Sequence, residues 1–80
     1  MKYYSVYIIK LSNGDYYTGR TDNFSRRLKE HIRGEVKSTR NYLPCKLVCV
    51  LSFKNNNKSY KFERYLKTGS GIAFRNKHLI

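Results

Sequence analysis

The sequence contains no tryptophan, one proline, two cysteines and five acidic residues in a chain of 80. No apolar run approaches the ~18 residues of a membrane-spanning helix, and Met1 does not open a charged-then-apolar signal peptide. Cys45 and Cys49 lie in a strand-like segment about 13 Å apart, too far for a disulfide, and make a poor zinc site without paired histidines. We therefore expect a cytoplasmic protein with free thiols rather than a membrane protein or a disulfide-rich secreted domain.

Positive charge dominates what is present. Seventeen Lys and Arg residues give a formal net charge of +12. Solubility does not require one sign in such excess, so the charge indicates a polyanionic partner, with nucleic acid favoured over a membrane surface. A chain of this length has room for one small core, so we expect residues 1–80 to form a single domain.

The residue pattern predicts an α+β fold in the order ββαβαα, with a small, mostly antiparallel three-stranded sheet flanked by helices. A Tyr-, Val- and Ile-rich first strand covers residues 3–11, and a second covers 15–19 after a turn at 12–15. The nearly continuous apolar run at 46–53 predicts a buried central strand. Residues 35–44 are polar and basic, which is typical of a loop.

Three helices complete the pattern. Asp22 or Asn23 can cap a first helix that runs to about residue 32, before Gly34. Its buried stripe is expected at four-residue spacing: Phe24, Leu28 and Ile32. Ser59 is the expected cap of a second helix, which the glycines at 69–71 end, and residues 72–79 are expected to form the last helix.

The length of the first turn decides whether Tyr7 and Tyr17 share a face of the sheet. A two-residue Asn13-Gly14 turn pairs Tyr7 with Arg20 and puts the two tyrosines on opposite faces. A three-residue loop at 12–14 pairs Tyr7 with Gly19 and Tyr17 with Ile9, so both phenols share one face. Gly14 suits the left-handed position that this loop requires. We therefore predict the three-residue hairpin.

Two tripeptides and the helices after them resemble the GIY-YIG nucleases over residues 3–79. The first motif is Ser5-Val6-Tyr7 and the second is Tyr17-Thr18-Gly19. Arg27 and His31 follow on the first helix, and Glu63 lies within the second. Each tripeptide alone is a weak signal, but both at this spacing, with the three later residues in order, are a strong one. Ser5 and Thr18 depart from the motifs without removing a catalytic side chain.

The resemblance implies a metal-dependent, structure-directed endonuclease that hydrolyses DNA phosphodiester bonds in repair or recombination. It implies Tyr7 as the base for water, Tyr17 beside it, Arg27 on the scissile phosphate and His31 orienting a tyrosine or relaying a proton. Glu63 is implied to hold one Mg²⁺ or Mn²⁺. A phenol has an unperturbed pKa of ~10, so we expect cationic neighbours to lower the pKa of Tyr7.

The remaining basic residues are expected to contact the backbone of duplex or branched DNA without reading sequence. Four of them are assigned to this contact: Arg20, Lys37, Arg40 and Lys67. Because related nucleases often use a separate DNA-binding domain, targeting is expected to rely on a protein partner or on DNA structure.

Two other functions stay open at this stage. One is a nucleic-acid-binding module that keeps the fold but cuts little without a partner. The other is a basic RNA-associated protein whose tyrosines stack on unpaired bases. Taken singly, His31 is explained by the dipole of a helix end and Glu63 by an ion pair with Lys67. The complete set in family order favours the nuclease.

Overall fold

Residues 2–80, which the computed structural model describes, form one three-stranded sheet with helices on both faces. The elements are β1 (Tyr4–Lys10), β2 (Tyr16–Thr21), α1 (Phe24–Ile32), a 3₁₀ turn (Arg40–Tyr42), β3 (Lys46–Phe53), α2 (Asn56–Tyr65) and α3 (Gly69–His78). The strand order is β2-β1-β3, and both neighbouring pairs are antiparallel. The predicted α+β fold and its ββαβαα order are confirmed.

The hairpin between β1 and β2 closes with the predicted three-residue loop. The Leu11 N–H donates to the Asp15 carbonyl at an N···O distance of 2.8 Å, and the Gly14 N–H donates to the Leu11 carbonyl at 3.0 Å. Gly14 has a φ of 90°, in the left-handed region that glycine enters without a Cβ clash. The loop therefore sets the strand register that the sequence predicts.

That register brings the two motif tyrosines to the same face. Tyr7 pairs with Gly19, and Ile9 pairs with Tyr17. Side chains alternate between faces along a strand, so Tyr7 and Tyr17 project together. Their ring centroids lie 6.4 Å apart.

Two small cores lie on opposite faces of β1. Val6 and Ile8 pack with Leu66 on the face covered by α2 and α3. Tyr7 and Ile9 are buried on the other face, with Phe24 of α1 packed against them. The central strand is thus enclosed from both sides, which is why its apolar residues are contiguous.

β3 is an edge strand, so the prediction of a buried central strand at 46–53 is wrong. Leu47 and Val50 are 43% and 41% exposed. An unbroken apolar run indicates that a strand packs against other elements. It does not indicate whether the strand pairs with a neighbouring strand on one edge or on both. β1 takes the central place because it alone pairs with both other strands.

The first helix has the predicted cap but not the predicted buried stripe. Asn23 accepts a hydrogen bond from the Arg26 N–H, and Gly34 follows the end of the helix with a φ of 77°. Ile32 is 58% exposed, whereas His31 is completely buried. The helix is rotated so that a polar ring enters the interior, because that ring finds hydrogen-bond partners there.

The later boundaries also differ from expectation. Asn55, not Ser59, caps α2 by accepting from the Lys58 N–H, and Ser59 lies inside the helix. The glycines at 69–71 begin α3 instead of separating it from α2, and Thr68 caps it. The segment at 35–44 contains the 3₁₀ turn.

Cys45 and Cys49 are free and half-buried. Within residues 2–80, no helix combines the length and the apolar character needed to cross a bilayer.

Candidate active site

Three buried side chains form a continuous hydrogen-bonded chain beneath α1. The hydroxyl oxygen of Tyr7 lies 2.8 Å from His31 Nε2, and His31 Nδ1 lies 2.9 Å from Thr39 Oγ1. Tyr7 is 1% exposed, and His31 and Thr39 are 0% exposed. Every polar atom at the end of these side chains thus has a partner, as burial requires. We call this set the buried relay.

Neighbouring elements hold the rings in place. β1 carries Tyr7 along the middle of the sheet, and α1 lays His31 across it, with the two ring centroids 5.5 Å apart at a near-perpendicular angle of 72°. Tyr17 of β2 comes within 5.2 Å of the His31 ring. Phe24, at the start of α1, packs 5.8 Å from Tyr7 and closes the apolar side.

Gly19 gives Tyr7 the space it occupies. A Cβ at this position would overlap the hydroxyl oxygen of Tyr7, and it would lie 3.0 Å from Cε2 of Tyr17. Gly19 is the cross-strand partner of Tyr7. The phenol therefore reaches across β2 only because the second motif ends in glycine.

Arg27 stands beside the buried relay but is not free. Its guanidinium Nη1 donates to Oε1 of Glu30 at 3.0 Å, and its side chain is 35% exposed. Arg27 and His31 are four residues apart and so lie on one helix face. The ion pair with Glu30 holds the guanidinium in place. A bound phosphate would compete with Glu30 for the guanidinium.

The buried relay is uncharged near neutrality. Burial raises the pKa of the Tyr7 phenol, and the adjacent Arg27 guanidinium opposes that rise only in part. Burial, together with the charge of Arg27, lowers the pKa of His31. The expectation that cations lower the pKa of Tyr7 is therefore wrong in net direction, because desolvation outweighs them. The resting pair is therefore a neutral phenol facing a neutral imidazole, and both shifts oppose its conversion to tyrosinate and imidazolium.

Glu63 lies on α2, which packs on the face of the sheet opposite to α1. The negative charge of Glu63 raises the pKa of Tyr7, but its effect is smaller than those of burial, Arg27 and Tyr17. The carboxylate is 17% exposed, and Oε2 accepts a hydrogen bond from Nζ of Lys67 at 3.0 Å. The i,i+4 pair that the sequence offered as an ordinary explanation for Glu63 is thus present, and it engages one of the two carboxylate oxygens.

The residues assigned to nucleic acid are spread around this centre. Lys37 and Arg40 are exposed on the segment between α1 and β3. Arg20 donates to the side-chain oxygen of Asn56 at 2.8 Å and lies 5.7 Å from the ring centroid of Tyr60. Lys67 forms an ion pair with Glu63.

The exposed Tyr60 ring has a second guanidinium beside it. Arg64 of α2 also lies 5.7 Å from the Tyr60 centroid, and the ring is 49% exposed. We call Arg20, Tyr60 and Arg64 the cationic cluster. It links β2 to α2 on the side of the site away from α1.

Sequence reasoning missed two residues of the site. Glu30 lies three residues after Arg27, and that spacing on a helix was available as a signal. Thr39 lies in a segment interpreted as an open polar loop. Nothing in its local sequence indicates that its side chain is buried against His31.

Known proteins resemble this chain in sequence. Residues 3–74 match the model of the GIY-YIG catalytic domain. The chain is 40% identical over 63 residues to the UPF0213 protein CPE1444 of Clostridium perfringens, covering 78% of this chain and 68% of that protein. It is 38% identical over 63 residues to the UPF0213 protein VNG_2274C of Halobacterium salinarum, covering 78% and 82% respectively.

A solved structure shares the fold. The solution NMR structure of the UPF0213 protein BH0048 from Bacillus halodurans has a TM-score of 0.61 and 28% sequence identity, covering 94% of this chain and 83% of that one. The family match spans both tyrosine motifs, the Arg27–His31 turn of α1 and Glu63 of α2. The chain therefore belongs to the family of GIY-YIG catalytic domains, which are nuclease domains.

Proposed function

We propose that residues 1–80 act as one divalent-metal-dependent endonuclease domain that hydrolyses phosphodiester bonds in duplex or branched DNA. The observation that carries this proposal is the 2.8 Å contact between the Tyr7 hydroxyl and His31 Nε2. It joins a potential proton acceptor for water to a neutral base, next to a guanidinium, inside a domain of a nuclease family.

The neutral pair suggests how Tyr7 acts despite its raised pKa. The phenol proton moves to His31 Nε2 while the phenol oxygen takes a proton from the attacking water, so the phenol stays neutral and the imidazole gains one proton. The water oxygen then bonds to phosphorus as the bond between phosphorus and the leaving oxygen breaks, and the leaving oxygen takes a proton from solvent. Burial, which lowers the pKa of His31, keeps its Nε2 available before the reaction.

Arg27 is assigned to the scissile phosphate. Its planar guanidinium matches two phosphate oxygens, and the phosphate takes over the hydrogen bond now made to Glu30. Tyr17, whose ring lies 5.2 Å from that of His31, is assigned to the same face as a group that orients the reacting water.

The donor chemistry at Glu63 fits a hard divalent cation. Within residues 2–80, no three His, Cys, Asp or Glu side chains gather as a metal cluster. A single partly buried carboxylate suits Mg²⁺ or Mn²⁺, which keep several waters and need few protein oxygens. When bound, such an ion would stabilise negative charge on the leaving oxygen. Glu63 would hold it after giving up its pair with Lys67.

The cationic surface is assigned to the DNA backbone. Arg20, Lys37 and Arg40 provide charges that attract phosphates without reading bases. Lys67 joins them once Glu63 is engaged elsewhere. This arrangement favours recognition by DNA structure or through a partner protein, and we place the activity in DNA repair or recombination.

One observation favours a second candidate, a binding module that cuts little without a partner. Lys67 neutralises Glu63, the one carboxylate assigned to the metal. A chain that only binds nucleic acid would keep this pair permanently and would not need the carboxylate for chemistry.

Cleavage of supercoiled, linear and branched DNA in Mg²⁺ or Mn²⁺ separates the two candidates. We expect metal-dependent nicking that is lost in Glu63→Gln and Arg27→Ala. Two matched controls remove the same charges elsewhere, on the exposed Glu35 and Arg33: Glu35→Gln and Arg33→Ala. Both controls are expected to nick like the wild type. Retarded migration without cutting, unchanged in Glu63→Gln, would establish the binding module instead.

A further inference from the structure

Backbone hydrogen bonds of the segment between α1 and β3 hold Thr39 in its buried position. Its N–H donates to the Val36 carbonyl at 3.1 Å, and its carbonyl accepts from the Tyr42 N–H at 3.0 Å. The Tyr42 carbonyl in turn accepts from the Ser12 N–H at 2.9 Å, which ties the segment to the loop of the first hairpin. The Thr39 hydroxyl is thus delivered to a set position, with 0% of the residue exposed.

That position is 2.9 Å from Nδ1 of His31, on the side of the ring away from Tyr7. The groups around the imidazole are Tyr7 of β1, Tyr17 of β2, and Arg27 and Glu30 of its own helix. Tyr7 takes Nε2, which leaves Nδ1 to Thr39. A ring with both nitrogens engaged is fixed in orientation, and the partner of one nitrogen decides the state of the other.

We propose that Thr39 is a positioning residue that accepts the Nδ1–H of His31 and so holds the tautomer whose unprotonated Nε2 faces the Tyr7 hydroxyl. The catalytic role of Thr39 in this inference rests on the proposed nuclease function. Its structural content, the tautomer of His31, stands independently of cleavage.

A hydroxyl suits this task better than a carboxylate. A carboxylate at Nδ1 would favour imidazolium, so Nε2 would already carry a proton before the reaction. The threonine oxygen orients the ring without adding charge. It also accepts from Nδ1–H whether the ring is neutral or protonated, so it need not rotate when the Tyr7 O–H bond breaks and the Nε2–H bond forms.

The first test is a ¹⁵N–¹H correlation spectrum of the His31 ring in the full chain near neutral pH. We expect a protonated Nδ1 and an unprotonated Nε2. Thr39→Val, which keeps the shape and removes the acceptor, is expected to shift the ring towards the Nε2–H tautomer, while Thr39→Ser keeps the wild-type pattern. Ser38→Ala removes an exposed hydroxyl one residue away and is expected to change nothing.

Cleavage kinetics give the second readout. Thr39→Val is expected to lower kcat about 10- to 100-fold with KM little changed, as for other residues that orient a functional histidine, and Thr39→Ser is expected to recover most of it. A wild-type spectrum with Nε2–H, or an unchanged His31 tautomer in a folded Thr39→Val, would overturn the proposal. If Thr39→Val does not fold, the wild-type spectrum alone decides.

The two proposals fail in different ways. Wild-type protein that shows the expected tautomer but never cuts DNA would end the nuclease proposal and leave the Thr39 contact in place. Protein that cuts DNA with the opposite tautomer would end the Thr39 proposal alone.

Discussion

The two sides of the candidate site are held together by different kinds of interaction. Towards α1, the buried relay joins three neutral side chains with almost no contact with solvent. Towards α2, the Glu63–Lys67 pair and the cationic cluster are charged and lie at the surface, with Lys67 at 55% side-chain exposure and Glu63 partly buried. Buried hydrogen bonds are expensive to leave unmade, whereas exposed ion pairs are weak and screened by salt.

Single substitutions should therefore have unequal effects on the two sides. The interior side is preorganised, so removing one atom leaves another polar atom without a partner. The outer side is adaptable, because its cations can exchange one anionic partner for another. Changes on the interior side are therefore expected to have larger effects than changes on the outer side.

Tyr7→Phe removes only the hydroxyl of the buried relay. We expect cleavage to fall about 10²- to 10⁴-fold, because proton transfer to His31 is lost. Unfolding is expected to become easier by about 1–3 kcal/mol, since Nε2 is left buried without its partner. Single-turnover cleavage and chemical denaturation measure the two effects. Tyr3→Phe, on a 43% exposed tyrosine, is the control; equal behaviour of the two variants would contradict an interior role for Tyr7.

Gly19→Ala tests the space above Tyr7. The added methyl would overlap the phenol, which cannot move aside within a closed core, so we expect a loss of about 1–3 kcal/mol in stability together with most of the activity. Thermal unfolding and nicking are measured side by side. Gly69→Ala is the matched control because a Cβ there meets nothing within 4 Å. A Gly19→Ala protein that melts and cuts like wild type would mean that the phenol lies elsewhere.

Acidification should destabilise the interior side through His31. Burial lowers its pKa, so the unfolded chain binds the proton more readily than the folded one. Stability is then greatest above the ordinary histidine pKa of ~6.5 and falls as the pH drops below it. Melting temperatures between pH 8 and pH 5 should fall more in wild type than in His31→Gln. A slope for His31→Gln parallel to that of the wild type would refute the assignment.

Lys67→Gln tests the outer side and should have the smallest effect. Lys67 is exposed, so loss of the pair should change stability by no more than about 1 kcal/mol and should tighten Mn²⁺ binding at Glu63 by less than about 5-fold. Calorimetric Mn²⁺ titration at two salt concentrations measures the gain. Lys61→Gln removes the same charge from an exposed position on α2 and serves as the matched control. A change in stability as large as that of Tyr7→Phe would erase the distinction between the two sides.

The parts predicted correctly from sequence are those fixed by local chemistry. Gly14 at the end of a three-residue loop decided the register, and through it the common face of Tyr7 and Tyr17. Asn23 marked the start of α1. Each of these conclusions depends on a few neighbouring residues and on backbone geometry.

The parts that failed depend on tertiary neighbours. The apolar character of residues 46–53 did not reveal that β3 has a neighbour on only one side. His31 displaced Ile32 from the interior because Tyr7 and Thr39 satisfy its ring, and neither partner is adjacent in sequence. The net direction of the Tyr7 pKa required knowing its burial as well as its charged neighbours.

The exposed edge at β3 bears on how separate copies of the chain behave together. Leu47 and Val50 are open to solvent beside unpaired strand backbone, which is a surface prone to pairing between molecules. Lys46 and Lys54 stand at the two ends of the strand, and the net charge of +12 makes copies repel one another. A polyanion that neutralises this charge would weaken the repulsion, so colloidal stability is expected to depend on the ratio of DNA to protein.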